Sequence, residues 1–180
     1  MKLLYFRVLA LAFVEVSCGA PCAKQPQNLT VRTTAQATQL AAAVDCEGGT
    51  FNVAWAGEVT LATSIVVGAE TSLTITAASA TAVLCGANVT QLIQVGSGKL
   101  HLQGIVLKEA ASADLGAAVH ALEGSDVTLI DCVVTKGKSP AHAGIYTAGK
   151  LLAQGCTFSD NFAGSLKSSV DINSTDYFAM

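Results

Sequence analysis

Apolar and polar residues alternate along most of this chain, and the alternation follows a phrase that returns at regular intervals. The phrase reads GKLHLQGIVLKEA at 98–110, SDVTLIDCVVTKG at 125–137 and GKLLAQGCTFSDN at 149–161, with a more eroded copy, TSLTITAASATAV, at 71–83. Leu73, Leu100, Val127 and Leu151 align at steps of 27, 27 and 24 residues. Within a copy, Leu100 and Leu102 share one face, Gly104 interrupts, and Ile105 and Leu107 return to that face. The equivalents are Leu73, Ile75, Ala78 and Ala80, then Val127, Leu129, Cys132 and Val134, then Leu151, Ala153, Cys156 and Phe158. A spacing of two is that of a strand. The interrupting column, Ala77, Gly104, Asp131 and Gly155, holds residues that tolerate a bend or bulge. Each copy is therefore expected to be two short strands meeting at a corner, with a third strand upstream at 92–95, 118–122 and 144–147.

A fixed period of this size, filled with short strands, describes the turns of a β-solenoid. A leucine-rich repeat has a similar period, but its LxxLxLxxN pattern is absent. The composition agrees: hydrophobic residues make up 51% of the chain and aromatics only 6%, so small side chains must fill a narrow interior. The one helical stretch, 33–44, offers Thr33 or Thr34 as its cap and an apolar stripe of Ala37, Leu40, Ala41 and Val44. Placed before the first strands, it is expected to cover the open end of the stack. Gly48, Gly49, Gly57 and Gly68 then mark the turns of the first coils, and Trp55 reads as a packed residue of the first coil.

Residues 1–19 read as a secretory signal peptide: Lys2 and Arg7 flank a largely apolar run, closed by the small residues Ser17, Cys18, Gly19 and Ala20. A secreted or cell-surface protein follows from that reading. Three sequons, at Asn28, Asn88 and Asn173, are candidate glycosylation sites in a eukaryotic host. Of six cysteines, five remain once Cys18 leaves with the signal, an odd number that excludes a fully paired monomer. Cys22 and Cys46 are the best disulfide candidates. Cys132 and Cys156 fall in one column of adjacent coils, about 4.8 Å apart, where a disulfide is permitted but two stacked buried thiols are favoured. No histidine or further cysteine accompanies them at ligand spacing, so neither a metal nor a cofactor is expected. From residue 20 onward, eight basic residues face twelve acidic ones, and this excludes nucleic acid as a partner.

The succession of cap helix, GGTF, GEVTL, SIVVG and TSLTI, followed by repeats ending in GCTFSDN, resembles the pectin-lyase-like superfamily over roughly 33–164. The last copy, AGIYTAGKLLAQGCTFSDNFAG at 143–164, is similar to the GGAI and FxxN repeats of polymorphic outer-membrane adhesins. The resemblance implies an all-β, right-handed parallel β-helix of about four to five coils with an N-terminal capping helix. It divides the chain into a signal at 1–19, an N-terminal segment at 20–32, the β-helix at 33–164 and a loosely held tail at 165–180. Asn161, in the FxxN position, would bond local backbone in a turn.

Enzymes of this superfamily cut acidic polysaccharides, but the Asn-Thr-Asp, Asp-Asp, Gly-His-Gly and Arg-x-Lys motifs do not occur here. After the signal the only arginine is Arg32, ahead of the solenoid, which leaves the usual lyase base without a candidate. Lys99 and Lys150, with Asp126 between them, read as a solvated turn face. Glu123, Asp126 and Asp131 form the one acidic group worth weighing for calcium. His101, His120 and His142 read as residues on different parts of different coils. The expectation is thus a secreted, non-catalytic β-helix that binds or adheres to extracellular polysaccharide or a cell-surface protein. The alternatives are a polysaccharide lyase or hydrolase, and a self-assembling structural scaffold. Val106, Ile130 and Val133 point outward under the same phase and form a candidate contact face. The short run after Asn161 lacks a second cap, so self-association through the C-terminal end is also expected.

Overall fold

In a computed structural model the described residues are 26–45, 49–164 and 170–172. Strand β1 (Gln27–Val31) and helix α1 (Thr34–Val44) come first. Five coils follow. The first holds β2 (Gly49–Trp55), β3 (Glu58–Thr60) and β4 (Ile65–Val67), and the second β5 (Thr71–Ala77), β6 (Val83–Cys85) and β7 (Ile93–Val95). The third holds β8 (Lys99–Gln103), β9 (Val106–Lys108) and β10 (Val119–Ala121). The fourth is β11 (Asp126–Ile130), β12 (Val133–Thr135), β13 (Lys138–Ser139) and β14 (Ile145–Thr147). The last is β15 (Lys150–Gln154), β16 (Thr157–Ser159), β17 (Phe162–Ala163) and β18 (Val170–Ile172).

Stacking these coils produces three all-parallel sheets. Sheet A runs β1-β2-β5-β8-β11-β15, sheet B runs β3-β6-β9-β12-β16, and sheet C runs β4-β7-β10-β14-β18. A small pair, β13 and β17, thickens the passage from sheet B to sheet C. The molecule is a parallel β-solenoid of about five turns with one short helix near its N-terminus.

The inward phase holds along sheet A. Leu73, Leu100, Val127 and Leu151 stack in one column, and Ile75, Leu102, Leu129 and Ala153 in the next, in register through β5, β8, β11 and β15. All are buried. Alanines at 82, 110, 117, 118, 121 and 153 complete an interior too narrow for many large side chains.

One inward assignment is corrected. Ala78 and Ala80 are exposed, and Ala82 and Leu84 occupy the buried positions instead. Register explains the slip. Thr76 pairs Gln103 while Val83 pairs Val106, so seven residues in the second coil span what three span in the third. The four extra residues leave the stack as a loop, closed where the Ala82 amide donates to Ser79 O at 3.2 Å.

The corner from sheet A to sheet B turns through the left-handed region at Gly104 (φ 68°), Asp131 (φ 51°) and Gly155 (φ 64°). Asp is among the few side-chain-bearing residues that enter this region readily. At the corner from sheet C into sheet A the register stacks Gly49, Thr71, Gly98, Ser125 and Gly149. Thr71 and Ser125 are buried, and the Ser125 hydroxyl donates to Leu122 O at 2.6 Å. The glycines between leave room for those turns. A Cβ on Gly149 would overlap Ser125 Oγ, and one on Gly98 would overlap Gly68 O.

Thr33 caps α1, its side chain accepting from the Gln36 amide at 3.3 Å, and Ala37, Leu40, Ala41 and Val44 are the helix's buried face. That face packs on β3 and β4, at the start of sheets B and C. Sheet A is extended in the same direction by β1, a strand that the repeat pattern did not reveal. Trp55 is fully buried and donates from Nε1 to Val83 O at 3.1 Å, tying coil one to coil two. Asn161 bridges coils as well: Oδ1 accepts from the Gly137 amide and Nδ2 donates to Val134 O, both at 2.9 Å. Val170–Ile172 pair with β14, so the segment assigned to the tail supplies the last strand of sheet C. The signal, the Cys22–Cys46 pairing and Asn173 lie outside the described residues.

Candidate functional site

The outward column of sheet C carries the densest chemistry among the described residues. Val66, Gln94, His120 and Tyr146 stand in register on β4, β7, β10 and β14. The His120 ring meets Tyr146 edge-on, with centroids 5.4 Å apart. The His142 ring also meets Tyr146, tilted 32° to it with centroids 5.3 Å apart. All three residues are half-buried.

The loops entering sheet C build the wall beside this column. Gln91 donates from Nε2 to Leu115 O and Gly116 O, both at 2.9 Å, and the Gly116 amide donates to His142 O at 2.8 Å. The loop of coil three is thereby held between a side chain of coil two and a carbonyl of coil four. That loop carries exposed Asp114, whose charge favours protonation of His120. Burial of His120 outweighs that effect and lowers its pKa below the ordinary value. Burial thus favours the neutral imidazole, which offers one donor and one acceptor beside the tyrosine ring. The Ser139 hydroxyl accepts from the His142 amide at 2.9 Å and fixes the turn that brings His142 in.

This grouping corrects the reading of the histidines as scattered. His120 and His142 converge on Tyr146, while His101 stands alone on sheet A between Thr74 and Thr128. The signal was present in part, because Tyr146 lies one repeat after His120. The acidic group does not assemble. Asp126 begins β11 and Asp131 follows its end, and among the described residues no three His, Cys, Asp or Glu side chains gather as a metal site.

Of the expected contact face, Val106 and Val133 are neighbours on sheet B and Val83 extends their row, whereas Ile130 lies around the corner on sheet A. All four are half-buried. Their row is bounded by a cross-coil ion pair, Lys108 Nζ to Glu58 Oε1 at 2.8 Å. That pair faces solvent on the Glu58 side, where screening leaves it little stabilising effect. Of the sequons, Asn88 sits in an exposed turn at φ 60° beside Val89, itself 80% exposed, and Asn28 is exposed on β1. The Asn28 Oδ1 accepts from Asn52 Nδ2 at 3.2 Å.

Cys132 and Cys156 are both free thiols in adjacent coils. Each donates to backbone carbonyls, Cys132 to Ile130 O at 3.3 Å and Cys156 to Gln154 O at 3.4 Å. Burial first of all pushes the Cys132 thiol up to about 11, so its thiolate is scarce at neutral pH. Cys156, at the last coil, is half-exposed. Iodoacetamide applied to the native chain should therefore label Cys156 and spare Cys132 and Cys85. A mass two hydrogens lower in the 132–156 region after purification would show instead that the pair had closed.

Comparison with protein-family models, curated proteins and solved structures returned no match to this chain.

Proposed function

We propose that this protein is a secreted, non-catalytic parallel β-helix of the pectin-lyase-like kind that binds glycan on cell-surface or wall material. The observation that carries the reading is Tyr146, on the outward column of sheet C, whose ring meets both His120 and His142. A part-exposed aromatic ring backed by imidazoles suits a sugar, whose C–H face packs on the ring while its hydroxyls meet the donors and acceptors. Glycoside hydrolysis uses a pair of carboxyl groups flanking the bond, and among the described residues Asp114 is the one carboxylate whose field reaches His120. That favours binding over cleavage.

The test is a glycan array followed by titration of the best ligand. Tyr146→Ala should weaken binding at least tenfold with the melting temperature unchanged, and polygalacturonate and alginate should remain uncut. Release of product that disappears in His120→Ala would move the protein to the lyase or hydrolase alternative. A Tyr146→Ala chain that binds as the parent does would place the ligand elsewhere.

A further inference from the structure

Sheet A presents a second outward face, and its chemistry differs from that of sheet C. Two rows run along it through the in-register strands. One contains Asn28, Asn52, Thr74, His101, Thr128 and the exposed Leu152, and the other Thr30, Ala54, Thr76, Gln103, Ile130 and Gln154. Every one of these side chains is exposed or half-buried. Neither row holds a carboxylate, lysine or arginine. The charged residues of the face, Lys99, Asp126 and Lys150, are confined to a third row at the strand starts, where their signs alternate.

We infer that this face is a second binding surface, one that takes a flat, uncharged polysaccharide such as an insoluble β-glucan or chitin. Three arguments fix the occupant. Threonine hydroxyls and asparagine and glutamine amides both donate and accept, as sugar hydroxyls do, and the intervening Ala54 and Ile130 supply methyl groups for the C–H face of a ring. The lack of charge in the two rows gives nothing to attract a uronate polymer, a phosphate or an acidic peptide. The narrow face suits a thin ligand better than a standard protein interface. Six strands about 4.8 Å apart, each about 17 Å long, give roughly 400 Å², half of the roughly 800 Å² that a standard interface buries on each side. A solid polysaccharide repeats its surface, so a small rigid face need only be pre-ordered, and these side chains stand on strands fixed by the stack. The inference shares its ligand class with the proposed function but not its site.

Depletion of the full chain from solution by microcrystalline cellulose and by chitin, with soluble polygalacturonate as the charged control, tests the inference. The parent chain should bind at least one of the two solids and ignore polygalacturonate. Thr76→Glu with Thr128→Glu should reduce that binding tenfold or more, while Glu123→Gln, in an exposed turn outside both sites, leaves it intact. Thr76→Val with Thr128→Val keeps the branched shape favoured in strands and removes only the hydroxyls, so its loss of binding would carry the same meaning if the charged variant fails to fold. The inference is overturned if neither solid depletes the parent, if Tyr146→Ala alone abolishes depletion, or if both threonine double variants bind as the parent does. The same applies if sedimentation shows that the threonine variants disrupt a dimer of the parent instead.

Discussion

Leu129→Asp should leave a chain that does not fold. Leu129 is fully buried on β11, stacked between Leu102 and Ala153 within the hydrophobic core. A carboxylate there loses its water and gains no partner, which costs several kcal/mol or forces the group to take up a proton. Total stabilities of domains are about 5–15 kcal/mol, so this single change consumes much of the margin. Leu129→Ala isolates the packing part and should cost about 2–5 kcal/mol while preserving the fold. Urea unfolding followed by far-ultraviolet circular dichroism distinguishes the two. A soluble Leu129→Asp protein with a cooperative transition would show that the residue faces solvent and that the phase of the whole stack is shifted by one.

The second large effect is expected at Gly98, from a single added methyl group. Its Cβ would overlap Gly68 O and stand 2.7 Å from Thr71 O, and both of those atoms belong to backbone that the stack holds in place. Overpacking of this kind costs about 1–3 kcal/mol where neighbours can yield, and fixed carbonyls yield poorly. Gly98→Ala should accordingly lower the urea midpoint further than Gly57→Ala. At Gly57 (φ 79°) an added Cβ meets nothing within 4 Å, and only the left-handed backbone opposes it, at about 1–2 kcal/mol. Equal midpoints for the two variants would mean that the corner relaxes, and that the alternation of glycine with hydroxyl there carries no packing constraint.

The architecture was legible because a period of two, repeated every 24 to 27 residues, has one physical solution, and the buried columns at Leu100, Val127 and Leu129 follow from it. The cap helix was legible because Thr33 and the Ala37–Leu40–Ala41–Val44 stripe state both its start and its inner face. The slip at 78–84 has the same origin as the success. In a narrow interior filled by alanine and small β-branched residues, an inward Ala and a looped-out Ala look identical in sequence. Only the pairing of Val83 with Val106 separates them. Strand β1 was missed because Gln27–Val31 lies apart from the repeat and shows too few apolar residues to declare a phase. For the ring cluster, repeat spacing alone carries His120 to Tyr146. His142 reaches the same place through a turn fixed by the Ser139 hydroxyl and by the neighbouring coil's backbone, contacts without any periodic trace.

In sheet A each strand pairs with the one that lies 22 to 27 residues further along, from Gly49 with Thr71 to Leu73 with Leu100. The entropy of closing a loop grows only with the logarithm of its length, so every coil is added at nearly the same cost. No early segment has to wait for a distant one to return. Construction can thus advance in one direction, each finished coil serving as the template for the next, and α1 stands ahead of the first. A chain that emerges gradually, N-terminus first, can fold at the pace of its own synthesis.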